Sequence, residues 1–128
     1  MANMHSFVKG PFKDEAAFKA AVLRVWRERS SVSTYTRFEI ENEEKEPGMP
    51  DCLSISPTRP AFFTEFKISD KNGVVEFQKT QPRFYNAHKE VLIDVLVWDA
   101  RYDRVVAMTA AEVVAAKSLK IRIPEELG

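Results

Sequence analysis

The spacing of apolar and polar residues along the chain predicts a mixed α/β domain. Phe18, Val22 and Val25 recur at helical intervals, which predicts an amphipathic helix over Asp14–Arg29. The segment Val91–Asp99 (VLIDVLVWD) has the strongest pattern of a buried strand. Further strands are predicted over Val32–Ile40, Asp51–Ser56, Ala61–Ile68, Arg104–Met108 and Leu119–Ile123.

Polar segments rich in glycine and proline predict the connections. Glu41–Gly48 (ENEEKEPG) is acidic and predicts a mobile loop, whereas Pro57–Pro60 and Ser69–Gly73 predict turns. Thr109 with Glu112 three residues later has the pattern of a capping box, which predicts a short helix through Lys117.

The segment Val74–Glu90 has two interpretations. Its aromatic and polar spacing favours one helix, but Pro82 would interrupt the interior of that helix. Alternatively, residues 74–79 are extended and the helix begins with Pro82 at its first position. In both cases the order is helix, three strands, helix, two strands, small helix and strand, which indicates an α/β domain with a mixed central sheet flanked by helices.

Composition narrows the class of protein. A chain of 128 residues fits a single domain over 1–128, and one cysteine, Cys52, excludes an internal disulfide. We expect a cytoplasmic protein, because no apolar run approaches the roughly 20 residues of a membrane span and Met1–Lys13 carries no apolar signal-peptide core. The 19 basic residues are balanced by 19 acidic ones, so any nucleic-acid binding must depend on local patches.

Three charged residues form the candidate chemistry. Asp51 begins one predicted strand, and Glu65 and Lys67 lie two apart in the next, so the latter pair share a face while Phe66 points to the opposite layer. If the two strands form a hairpin through Pro57–Pro60, Asp51 comes near Glu65. Two carboxylates suit a hard cation such as Mg²⁺ or Mn²⁺, and a neighbouring lysine suits phosphodiester hydrolysis.

This pattern resembles the PD-(D/E)xK nuclease superfamily. Pro50-Asp51, a spacer and Glu65-Phe66-Lys67 match its signature, on elements in the α-β-β-β-α-β order of its restriction-endonuclease-like core. Gly48, Glu15 at the start of the first helix, and Gln81 before Phe84 and Tyr85 are similar to the VRR-NUC and Holliday-junction-resolvase-like branch.

The resemblance implies roles for individual residues. It implies that Asp51 and Glu65 bind Mg²⁺ or Mn²⁺ and that Lys67 orients or deprotonates water. We expect the carbonyl oxygen of Phe66 to be a further ligand, because a strand edge exposes it beside the carboxylates. Gln81 and Glu15 would assist the site. The implied substrate is DNA, branched or structured by family likeness, and cutting both strands would require a homodimer.

Some features leave alternatives open. Pro82 follows Gln81 directly, which makes Gln78 a competitor for the same role, and the acidic stretch over residues 41–46 precedes the motif where a basic approach would suit a phosphate better. One alternative function is a catalytically inactive nucleic-acid-binding or assembly module with this fold. Another is an interaction domain in which Asp51 is a turn residue and Glu65 and Lys67 form a surface ion pair.

Overall fold

The computed structural model describes residues 1–29, 36–40 and 45–127. Within these ranges the chain forms three helices and eight strands. In chain order they are β1 (Ala2–Asn3), α1 (Glu15–Arg29), β2 (Thr36–Glu39), β3 (Cys52–Ser56), β4 (Arg59–Ile68), β5 (Val74–Glu76), α2 (Thr80–Ala87), β6 (Leu92–Asp99), β7 (Arg104–Thr109), α3 (Ala110–Ala115) and β8 (Lys120–Arg122).

A six-stranded mixed sheet organises the described residues. Its strand order is β1-β7-β6-β4-β3-β2, and β5 and β8 form a separate two-stranded sheet. The pair β4 and β6 is parallel, with Glu65 opposite Val95, whereas the neighbouring pairs are antiparallel. The predicted α/β class with a mixed sheet is therefore confirmed.

The sheet separates two apolar cores. On one face α1 packs through Phe18 and Val22 onto Phe66, and the rings of Phe18 and Phe66 lie 6.0 Å apart. On the other face α2 and α3 pack through Tyr85 and Val113. Burying a large apolar side chain contributes about 1.5–3 kcal/mol, so the two layers hold β4 between them.

The structure confirms the predicted hairpin. β3 and β4 pair in antiparallel fashion, with Cys52 opposite Thr64, and the turn between them occupies Pro57 and Thr58. β4 begins at Arg59 rather than at Ala61, and it includes Pro60, which is exposed. The capping box of Thr109 and Glu112 is also confirmed, although α3 ends at Ala115 rather than at Lys117.

Several predicted boundaries were wrong. Residues 74–90 do not form one helix: Val74–Glu76 is the strand β5, and α2 begins at Thr80. Pro82 is therefore the third helical residue rather than the first. Proline is compatible with this position because the first four N–H groups of a helix have no intrahelical partner.

Other differences concern strand pairing and the described ranges. β8 pairs with β5 instead of extending the main sheet, and the short strand β1, which the sequence pattern did not predict, pairs with β7. Of the predicted strand Val32–Ile40, residues 32–35 lie outside the described residues, as do residues 41–44 of the predicted acidic loop. Within the described part of the chain, no helix is long and apolar enough to cross a membrane.

Candidate active site

One polar cavity brings the predicted site residues together. It has a volume of about 500 Å³ and lies between the start of α1, the segment before β3, the strand β4 and the start of α2. Its lining includes all the predicted polar residues: Glu15, Asp51, Glu65, Lys67 and Gln81. Phe66 instead packs in the core on the opposite face, as its place between Glu65 and Lys67 predicts.

Asp51 lies immediately before β3, and two backbone hydrogen bonds hold it in place. Its N–H donates to the carbonyl oxygen of Thr64 (3.2 Å), and its carbonyl oxygen accepts from the N–H of Ile40 (2.9 Å). Its side chain then extends along β4, where the N–H of Phe66 donates to Oδ2 at 3.3 Å. The Asp51 carboxylate thus accepts a hydrogen bond from the Phe66 N–H, which lies beyond the part of β4 that pairs with β3.

Glu65 and Lys67 are buried in the central strand. Their residues are 5% and 7% exposed, which rules out a surface ion pair. Oε1 of Glu65 is buried and has no hydrogen-bond partner among the described residues. Nζ of Lys67 lies 5.1 Å from the centre of the Phe77 ring. Such groups are costly to bury without a partner, so this pair is an unusual feature for a structural strand.

The environment of Glu65 favours its protonated form. Burial, followed by the negative charge of Asp51 and a hydrogen bond with that residue, raises the pKa of Glu65 from 4.5 to about 8. The nearby charge of Lys67 acts in the opposite direction. Asp51 and Glu65 therefore lie close together, and in the metal-free protein one proton relieves their repulsion.

Gly48 packs against the start of α2 and thereby positions the neighbouring Pro50-Asp51 motif. Its backbone has φ +86°, and a Cβ atom at this position would lie 2.0 Å from the carbonyl oxygen of Thr80. Glycine is the residue that tolerates both this conformation and this close approach. The contact brings the segment carrying Asp51 to the helix start that carries Gln81.

The structure distinguishes Gln81 from its competitor. Gln81 is 7% exposed, whereas Gln78 is exposed, although both line the cavity. Oε1 of Gln81 accepts from the N–H of Gln78 at 2.9 Å, which fixes the side chain at the start of α2. Gln81 is therefore the better-positioned glutamine.

Glu15 lies at the rim. It is an exposed residue at the start of α1, yet its carboxyl group faces the cavity. Desolvation raises the pKa of Glu15, the charge of Lys67 lowers it, and Asp51 raises it again. These influences place Glu15 within electrostatic reach of both residues.

Sequence reasoning missed Lys45, which lines the cavity and whose Nζ lies 2.6 Å from Oδ1 of Asp51. Tyr85 lies one turn after Gln81 on the same face of α2, but it packs in the apolar core rather than in the cavity lining. It is 2% exposed, and its hydroxyl has no hydrogen-bond partner within the described ranges. Burial and the charges of Glu65 and Asp51 raise the pKa of Tyr85.

Cys52 has no part in the site. It is completely buried among the apolar residues beneath α1, and burial raises the pKa of its thiol.

We expect the stability of the metal-free protein to fall as pH rises between about 5 and 8. Glu65 has a raised pKa when folded and an ordinary one when unfolded, so folding retains a proton that is lost through this range. Urea denaturation of the wild type and of Glu65→Gln in a chelator should show a difference in unfolding free energy that increases with pH. Glu46→Gln, at an exposed position of the same cavity, is the matched control. Parallel pH profiles for wild type and Glu65→Gln would contradict the assignment.

The donor set is a carboxylate pair rather than a preformed cluster. Among residues 1–29, 36–40 and 45–127, no three His, Cys, Asp or Glu side chains lie together in a way that could hold a metal ion. The pair of Asp51 and Glu65, with the unpaired Oε1 of Glu65, offers the hard oxygen ligands that Mg²⁺ and Mn²⁺ prefer.

Comparisons with protein-family models, with curated protein sequences and with solved structures found no match for this chain.

Proposed function

We propose that the chain is a nuclease of the PD-(D/E)xK type that hydrolyses phosphodiester bonds in DNA and depends on Mg²⁺ or Mn²⁺. The observation that carries this proposal is the presence of Asp51 and the buried residues Glu65 and Lys67 in the lining of one cavity. The arrangement around it, with Asp51 immediately before β3, Glu65 on the paired strand β4 and Gln81 on the helix α2, supports a restriction-endonuclease-like core.

The residues present fit a divalent cation. Asp51 and Glu65 supply carboxylate oxygens, and one of these, Oε1 of Glu65, is buried without a partner in the described chain. In an extended strand the N–H and C=O groups of one residue point to the same edge. The Phe66 carbonyl would therefore face the edge where the Phe66 N–H binds Asp51, and it would be the further ligand of the cation. A bound Mg²⁺ or Mn²⁺ would polarise the phosphate and lower the pKa of water.

Lys67 is the residue that orients and deprotonates the attacking water. Lys67 is buried in the lining of the same cavity as Asp51 and Glu65, and its charge lowers the pKa of both Glu65 and Glu15. In its neutral form the amine can orient a water molecule toward the phosphorus and accept its proton, becoming an ammonium group. The positive charge gained in this step then offsets the negative charge that develops on the phosphate.

Gln81 and Glu15 complete the walls of the site. Because Oε1 of Gln81 is engaged with the N–H of Gln78, its amide NH₂ group remains to donate to a phosphate oxygen. Glu15 lies at the rim, where it can hold a water molecule of the hydrated cation. Branched or structured DNA is the proposed substrate, and one site per chain implies a homodimer for cutting both strands.

The experiment is cleavage of plasmid, linear, branched and single-stranded DNA by the purified chain, with Mn²⁺ and with EDTA. We expect cleavage with Mn²⁺ only, fastest on the branched substrate, because the cation is required to polarise the phosphate. Cleavage that persists in EDTA would contradict the proposal. A folded protein that binds these substrates but cleaves none of them would instead be the inactive nucleic-acid-binding module.

A further inference from the structure

Among the described residues, Lys45 is the cation that forms an ion pair with Asp51. Its Nζ lies 2.6 Å from Oδ1 of Asp51, and the side chains of Lys45 and Asp51 are 15% and 24% exposed. The charge of Lys45 also lowers the pKa of Glu65. One ammonium group therefore acts on both members of the carboxylate pair.

The two oxygens of Asp51 have different tasks. Oδ2 accepts from the backbone N–H of Phe66, which the sheet holds in place. Oδ1 is the oxygen that meets Lys45. A cation that binds Asp51 through Oδ1 must therefore approach the position of the Lys45 ammonium, and two positive charges at such short range repel each other strongly.

The other lysines of the cavity are placed differently. Lys19, on α1, pairs with Glu39 (Nζ to Oε1, 3.3 Å). Lys67 lies against the ring of Phe77. Lys45 is thus distinguished from its neighbours by its contact with Asp51 rather than by its charge.

The position of Lys45 in the fold allows its side chain to move away from Asp51. It lies between β2 and β3, outside the strand pairing, and the turn that follows it is closed by the N–H of Met49 donating to the carbonyl oxygen of Glu46 (3.0 Å). The lysine side chain has four rotatable bonds. It can swing away from Asp51 while Gly48 keeps its contact with α2.

We propose that in the metal-free protein the Lys45 ammonium group occupies the place beside Asp51 that a divalent cation takes, and that cation binding expels it. This inference rests on the cation site of the proposed function. Lys45 sets the affinity of that site by competition, so the site is filled only when the cation concentration is sufficient to displace an internal counter-ion.

The experiment is calorimetric titration with Mn²⁺ of the wild type, Lys45→Met, Lys45→Arg and Lys19→Met. Methionine keeps the length of the lysine stem and removes the charge. We expect Lys45→Met to bind Mn²⁺ about fivefold or more tightly than the wild type, because a partly exposed ion pair no longer has to be broken. Lys45→Arg and Lys19→Met should bind within about twofold of the wild type. A thermal melt of each variant verifies its folding.

The outcomes separate this inference from the proposed function. If the wild type binds Mn²⁺ and Lys45→Met binds it no more tightly, the competition is disproved while the cation site stands. Equal gains for Lys45→Met and Lys45→Arg would also overturn the inference, since arginine retains the charge. If neither the wild type nor Lys45→Met binds Mn²⁺, both the inference and the cation site fail.

Discussion

Replacing Lys67 by alanine is expected to reduce the rate of DNA cleavage by about a thousandfold, since a positioned proton-transfer group contributes roughly 10²–10⁴ in rate. Lys67 is 7% exposed beside Glu65, so neither bulk water nor a surface side chain can replace it. The measurement is single-turnover cleavage of a branched DNA with Mn²⁺, with binding of the same DNA measured in parallel. We expect binding to change little, because the loss is in the chemical step.

Two further variants define the role of Lys67. Lys19→Ala is the matched control, because Lys19 lines the same cavity but pairs with Glu39 on β2. It should retain most of the cleavage rate. Lys67→Arg preserves the charge but cannot give up its proton, so it should be as slow as Lys67→Ala if the lysine acts as a base. Equal rates for wild type and Lys67→Ala would remove the assigned role and indicate a contaminating nuclease.

The sequence predicts the core of the site well because strand geometry determines it. A hairpin of two short strands places Asp51 beside Glu65, and the two-residue period of a strand puts Glu65 and Lys67 on one face. The observed pairing of Cys52 with Thr64 is what this reasoning requires. The burial of Glu65 follows from its apolar neighbours in the sequence.

The sequence predicts the helix start less well, because several positions there tolerate proline. One of the two interpretations placed Pro82 at the first helical position, but α2 begins two residues earlier, at Thr80. This shift determines which glutamine is buried. The contact of Gly48 with the carbonyl oxygen of Thr80 fixes that register, and such a contact between distant segments has no periodic signal.

Long-range pairings of short segments were also beyond sequence reasoning. The ion pair of Lys45 with Asp51 depends on the path of an irregular segment, and in the sequence Lys45 is one charge in an acidic run. The partners in β5 and β8 are 44 to 48 residues apart in the chain, from Glu76 with Lys120 to Val74 with Arg122. Alternation identified β8 as a strand but contained no information about its partner.

Replacing Asp51 by alanine is expected to weaken Mn²⁺ binding by about a hundredfold or more, since even the partners that orient metal ligands contribute 10–100-fold. Asp51 lies immediately before β3. Its backbone hydrogen bonds with Thr64 and Ile40 do not depend on the side-chain carboxylate. The variant should therefore fold. Its loss of affinity should be accompanied by loss of DNA cleavage.

The most direct test of the cation site is the anomalous difference density of crystals soaked in MnCl₂, recorded for the wild type and for Asp51→Ala. We expect one strong peak in the wild type, within about 2.1 Å of a carboxylate oxygen of both Asp51 and Glu65, and no peak there in the variant. Manganese bound elsewhere, or a wild-type cavity without manganese at saturating concentration, would contradict the cation site and with it the proposed nuclease.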